Sequence, residues 1–555
     1  MNQKFFIGIA SFVILGLGIV WLLNQRSVDL SEKLEQLLEV DKPGFLVESP
    51  YWEDIRKFYQ DREFLEVWLF NHKLSPSGKE FLTHLKTISF EGLQPEDYHW
   101  EEIQELLSEK KDDPEIHRKL SEEELTRMEL LMTHAFFILA KDLDYGKVDP
   151  RKLDANWKFE EKKGEFVYAD LLNEVAEGAS VAKTLEKLNP EFELYTYGRD
   201  AIRELYSLKE KDTLDWSEVK LSASLKVGES HPKVPKLRDR LIFWGFLSPY
   251  SLDNPLTFDA KMEEGLKKYQ AAQGMEPDGV IGPLLVTQLN KSPQDLIDLA
   301  AANMERMRWL PKIEWDQEMV LVNVANFQLD YLNNNDTLFS TKVIVGKDYS
   351  ESPSFTAPMS YIVFSPYWNV PSSITKEEII PAIKKDKSYL AQKNMELVDS
   401  SGDLINSNSV KWEQVEGQDL PFRIRQKPGG SNSLGLVKFM FPNPYNIYIH
   451  DTPNRNLFTK ESRALSHGCI RIQYPDKFAK ILLDNSEWTE EKIHSAMNQD
   501  NEQTVKLQKS IPVVLLYLTF WSGENGKINY RPDIYGRDEA LIRALKRKKS
   551  SLDQA

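Results

Sequence analysis

The chain has 555 residues, 41% of them hydrophobic and 28% charged, with a single cysteine. That length exceeds one core and predicts roughly three or four domains of about 100–200 residues each. Acids outnumber bases, 86 to 70, for a net charge of −16. This excludes a surface built as a continuous positive face for a nucleic-acid backbone, and one cysteine excludes an intramolecular disulfide.

The nineteen residues Phe5–Leu23 carry no charge. A helix of that length comes close to a hydrocarbon core of about 30 Å. The run is longer than a signal-peptide core of roughly 7–15 residues, and no small-x-small cleavage site follows it. Residues 1–26 are therefore predicted to be an uncleaved signal anchor, with the remainder on one side of a membrane; Lys4 and Arg26 alone orient it poorly. Residues 27–220 read as a helical domain. Leu30, Leu34, Leu37 and Leu38 begin an apolar stripe, and Glu122–Leu143 shows a wide apolar face at helical spacing. Within it Leu130–Ala140 is too short to span a membrane and is expected as a core helix. His72, His84, His99, His117 and His134 are scattered and form no constellation in sequence.

From 225 to 292 a small three-helix module is predicted, with Leu237, Leu241, Met262, Leu266 and Tyr269 in its core. Asp278-Gly279 and Gly282-Pro283 make turns around two apolar residues. After a linking helix, Asp295–Arg308, the chain turns β-rich. Met319–Tyr331 and Thr337–Val345 are predicted as a hairpin about Asn333–Asp336, with further strands at 361–364, 447–450 and 511–519. The polar stretch 372–423 reads as a helix-prone insertion, of a size more typical of a lid or binding element than of padding. The domain that starts at 293 is expected to end at 535, followed by a basic tail, 536–555. The fold class is thus multidomain α+β.

Cys469 sits in Ser466-His467-Gly468-Cys469-Ile470-Arg471, nineteen positions after His450. A thiol attacks only as thiolate, and an adjacent imidazole is the usual base. His450 ends an apolar strand, so a turnaround could bring the ends of two neighbouring strands together. Gly468 allows close backbone approach, and the amides around Gly468 and Cys469 are natural donors to an oxyanion. Two other readings are open. His450, His467, Cys469 and Asp451 are all possible zinc ligands, although His-x-Cys pairs are less usual than wider spacings and no fourth-ligand motif appears. They could also be buried residues without chemistry, but two histidines and a thiol around glycine are poor core material.

These residues resemble the signature of the L,D-transpeptidase (YkuD-type) catalytic domain: a histidine, fifteen intervening residues, then Ser-His-Gly-Cys with Asn or Arg two positions on. Further likeness to the long, periplasmic subfamily lies in Asn303–Arg306, Arg308–Pro311, Pro366–Pro371, Gln426–Gly429, Asn432–Gly435 and Lys438–Asn443. Gly146–Pro150 is similar to its helical scaffold domain. Tyr269-Gln270 with Asp278–Pro283 resembles the peptidoglycan-binding type 1 domain. The resemblance implies an acyltransferase without cofactor or metal, acting on peptidoglycan stem peptides. Cys469 would be nucleophile, His450 base (oriented through a backbone carbonyl near Asp451), and His467 and Gly468 would shape the oxyanion region. Arg471, Tyr367, Trp368, Asn432 and Ser466 would contact substrate, and 372–423 would cap it. The reaction implied is release of terminal D-Ala and 3→3 cross-linking; the alternative is an L,D-carboxypeptidase or cysteine peptidase passing the same acyl-enzyme to water. A wall-binding scaffold with a decayed enzyme domain is opposed by the intact Cys469/His450 pair. The setting implied is the inner membrane with the catalytic part in the periplasm, where other cell-wall synthases are further possible partners.

Overall fold

A computed structural model describes residues 28–41, 43–108, 120–334, 336–415, 420–483 and 487–548. The expected anchor over 1–26, and His117, lie outside the described residues. Among the described residues no helix is long and apolar enough to cross a membrane.

The N-terminal part is helical around one long axis, Glu122–Tyr145. A capping box, Ser121 with Glu124, starts that helix, and Leu130–Ala140 is buried throughout within it. A short hairpin, Leu69–Phe70 with Lys73–Leu74, interrupts the helices. Two of the scattered histidines meet: His99 Nε2 lies 2.8 Å from His134 Nδ1, and His134 Nε2 lies 2.8 Å from Ser49 Oγ. Three helices follow, Val234–Phe243, Ala260–Ala272 and Pro283–Leu289, with Leu237, Leu241, Met262, Leu266 and Tyr269 buried between them. The Gln270 amide clasps the turn by accepting from Gly279 N (2.9 Å) and donating to Asp278 Oδ1 (2.8 Å).

The helix Pro293–Arg308 joins the parts. Arg308 is fully buried, pairs with Glu305 at 2.8 Å and donates to the Tyr195 hydroxyl at 3.1 Å. Arg306 meets Asp538 at 2.6 Å. Removing one partner of either pair would leave an uncompensated buried charge, which is strongly destabilising.

The C-terminal sheet has nine strands in the order Ala464–Ser466, Asp336–Gly346, Ile470–Ile472, Ile449–His450, Val437–Met440, Phe355–Phe364, Gln503–Leu516, Met319–Asn323, Gln328–Asn333. The last also pairs with Asp336–Gly346, so the pairings close in a circuit. Met319–Tyr331, expected as one strand, is itself a hairpin: Val324–Phe327 turns the chain, with Phe327 at φ +53°. The apolar residues of that turn disguised it. The insertion 372–423 is also corrected from helical to mixed. Its short helices are joined by strands Met395–Val398 and Leu404–Ile405, which pair through Arg423–Gln426 with Trp368–Asn369 in a four-stranded sheet. Ile379, Ile383, Leu390, Leu397, Trp412 and Ile424 give this cap a core of its own. Of the basic tail, Asp538–Lys546 is helical, and Lys546 and Lys548 pair with Asp298 (2.5 Å) and Glu101 (2.6 Å).

Candidate active site

Strand alternation builds the site. Ile449–His450 runs parallel to Ile470–Ile472, pairing Ile449 with Ile470 and His450 with Arg471. Ile449, Ile470 and Ile472 point into the core. Period-two alternation sends His450 and Arg471 to the opposite face, and Tyr448 and Cys469, two residues before each, lie beside them. The Tyr448 phenol contacts the Cys469 thiol, and its ring lies 5.6 Å from that of His450. Sequence reasoning missed Tyr448 as a site residue, although its place two residues before His450 on a strand was signal enough.

The imidazole is pinned. His450 Nδ1 donates to Asp451 O at 2.5 Å; a carbonyl only accepts, so Nδ1 carries the proton and Nε2 is the lone-pair nitrogen. Asp451 is itself fixed, since its carboxylate accepts from Leu436 N (2.9 Å), Thr452 N (2.6 Å) and Arg455 (2.5 Å). Gly435 (φ +63°) closes over that carboxylate, where any β-carbon would overlap it.

The thiol–imidazole hydrogen bond expected from the sequence is not formed among the described residues. The half-buried thiol faces Asn446 O at 3.6 Å. Burial pushes the thiol up to about 11, outweighing the Tyr448 contacts and the Arg471 charge that pull it down. Burial, with the Arg471 and Lys438 charges, drives His450 down to about 3. The resting site is therefore a neutral thiol near a neutral imidazole, not an ion pair.

The turn that carries Cys469 is braced from within. Ser466 Oγ donates to Cys469 O (2.7 Å) and accepts from Gly468 N (3.1 Å). Ser466, expected from the resemblance to contact substrate, is buried, and both bonds of its hydroxyl hold the turn. The Gly468 amide is committed to that bond and is not a free oxyanion donor, whereas the Cys469 amide donates to nothing among the described residues. Gly468 has φ +114°, a conformation reserved for glycine. Its carbonyl accepts from Ser352 Oγ at 2.7 Å. His467 is half-exposed, and its Nε2 lies 2.9 Å from Glu378 Oε1 on the cap.

Three residues expected to contact substrate are engaged with protein groups. Asn432 is wholly buried: its amide donates to Pro366 O (3.0 Å) and Lys427 O (2.9 Å) and accepts from Leu434 N (2.8 Å). It fixes the loop before Val437 and lines no groove. Trp368 packs on the cap core, and the Arg425 guanidinium covers the Tyr367 ring at 4.6 Å, so both stand at the root of the cap. No group of three or more His, Cys, Asp or Glu able to hold a metal occurs among the described residues.

Residues 53–202 match a scaffold domain, 230–289 a "Putative peptidoglycan binding domain" and 317–493 an L,D-transpeptidase catalytic domain. A curated "Putative L,D-transpeptidase" from Haemophilus influenzae is 35% identical over 241 residues, 43% of this chain. The match spans about half that relative's length, 48%. Solved L,D-transpeptidase structures from Xylanimonas cellulosilytica and Stackebrandtia nassauensis, each 12% identical, align with 54% and 53% of this chain and 100% and 94% of theirs. Their TM-scores, 0.15 and 0.21, are too low to inform the site. Residues 317–493 thus carry the likeness to an L,D-transpeptidase catalytic domain, behind matches to a scaffold domain and a peptidoglycan-binding domain.

Proposed function

We propose that this protein is a cell-wall L,D-transpeptidase that forms 3→3 cross-links through a cysteine acyl-enzyme. One observation carries the reading: the only thiol of the chain and a tautomer-fixed imidazole share one strand face beside a turn that demands glycine. Diagonal positions on a sheet face are roughly 7–8 Å apart, within reach of side-chain rotation. Substrate entry would bring Cys469 Sγ and His450 Nε2 together. The proton passes from sulfur to Nε2 as sulfur bonds the carbonyl carbon of the diamino acid's L-centre. The resulting oxyanion is met by the Cys469 amide. Collapse breaks the C–N bond, and His450 returns the proton to the departing D-Ala amine. A neighbouring stem's amine then attacks the thioester, loses its proton to His450 and releases the thiol.

In this reading residues 1–26 anchor the chain in the inner membrane and the rest acts in the periplasm. Domains spanning 27–220, 225–292 and 293–535, the last with a cap at 372–423, respectively support, hold the wall and catalyse. The peptidoglycan-binding match at 230–289 supports that setting. Incubation of the chain with disaccharide-tetrapeptide should yield cross-linked dimers by mass spectrometry, and Cys469→Ala should yield none. Tripeptide without dimer would assign hydrolysis instead. Full activity in Cys469→Ala would remove the nucleophile assignment. A carbapenem should add its mass at Cys469.

A further inference from the structure

His450 is flanked on the site face by two cations that have no acidic partner among the described residues. Lys438 pairs with His450 from the strand on one side, and Arg471 pairs with it from the other. Both are half-buried. Neither makes a salt bridge or a side-chain hydrogen bond among the described residues, and Arg471 Nε is buried without an acceptor. The acid acting on Lys438 through space is Glu502, whose carboxylate accepts from Tyr367 N at 3.2 Å. In a chain with 86 acids and 70 bases, two partly buried cations left unpaired at one site are conspicuous. Desolvating a charge without a counter-ion is costly, and the natural offset is an anion that arrives with the ligand.

We infer that Lys438 and Arg471 form a carboxylate subsite that binds the free terminal carboxylate of the residue to be expelled. This rests on the reading of Cys469 as nucleophile. Positions 469 and 471 lie about 6.6 Å apart along a strand face. One substrate residue beyond the scissile carbonyl, plus a charge-assisted hydrogen bond, spans about 6.4 Å. A carboxylate at that distance falls between the guanidinium, which takes it through two parallel N–H groups, and the Lys438 ammonium one strand beyond His450. The subsite thus requires a peptide ending in a free acid one residue past the bond broken.

The test compares acylation of Cys469, read by mass, on a stem tetrapeptide with a free C-terminal acid and on its C-terminal amide. A third peptide has the free terminus but an amidated side-chain carboxyl on the diamino residue. The wild-type chain should acylate about a hundredfold faster on the two free-terminus peptides than on the terminal amide. Lys438→Met should cut that preference about tenfold, and Arg471→Lys should weaken it less than Arg471→Met. Equal acylation of acid and terminal amide would overturn the subsite while leaving the nucleophile intact. So would loss of rate confined to the side-chain amide. If no peptide acylates the thiol, the proposed function fails instead. The subsite is then read by equilibrium binding of the same three peptides to the full chain: preference for the free terminus that falls in Lys438→Met supports it, and no preference overturns it.

Discussion

The turn that carries Cys469 is held on two sides, and the two holds differ in kind. Toward the scaffold, Asn156 donates to Glu351 (2.7 Å), Ser354 N donates to Asn156 O (2.9 Å) and Lys158 N donates to Ser354 O (2.8 Å). Arg537 pairs with Glu351 and also lies 3.4 Å from Asp154. Trp157, at 8% exposure, packs edge-on against Trp309. The buried Ser352 passes this on by accepting from Gly346 N (3.0 Å) and donating to Gly468 O (2.7 Å). Toward the cap there is, among the described residues, one polar contact, His467–Glu378, with side chains 36% and 53% exposed. Buried, multiply bonded contacts resist opening, whereas an exposed pair contributes about 0–1 kcal/mol. The scaffold side is a fixed support, and the cap side is a contact that can open and re-form at little cost.

Iodoacetamide reads the turn directly, because Cys469 is the chain's only thiol. With the thiol at about 11, the thiolate fraction and the alkylation rate should rise about tenfold per pH unit, roughly a hundredfold from pH 7 to 9. A plateau near neutrality would show a resting ion pair instead. Arg471→Met removes a charge that lowers the thiol, so alkylation should slow at every pH. Ser352→Ala leaves Gly346 N and Gly468 O unsatisfied and should cost about 1–3 kcal/mol, seen as a fall in Tm with slower acylation. An unchanged Tm would deny the support role. Asn156→Ala, one bond further back, should cost less, about 1 kcal/mol, again with slower acylation. Glu378→Gln should leave Tm unchanged while speeding proteolysis or hydrogen exchange in the cap; a large drop in Tm would make the cap a support like the scaffold.

The catalytic-domain match was legible in sequence because its motif is local: Ser466 to Arg471 and the strand ending at His450 can be read within short windows. What escaped depends on register. Lys438 reaches His450, Ser352 reaches Gly468 and Glu378 reaches His467 only after strands pair or the cap folds over. Nothing local marks these three. Asn432, expected from the resemblance to line the groove, has its amide engaged by backbone groups that only the folded loop supplies. The cap's sheet was invisible because its strands, two to four residues long, are too short to show alternation.

The parallel pairing of His450's strand with that of Arg471 explains the spacing of the signature. Parallel neighbours cannot be joined by a tight turn, so the chain must travel back to the starting end of the sheet before re-entering it. The interval from 450 to 469 is thus a measure of return path, set by distance and not by reactivity. Lengthening it at the exposed Lys460–Glu461 tip should be tolerated, whereas shortening it would pull the two strands out of step.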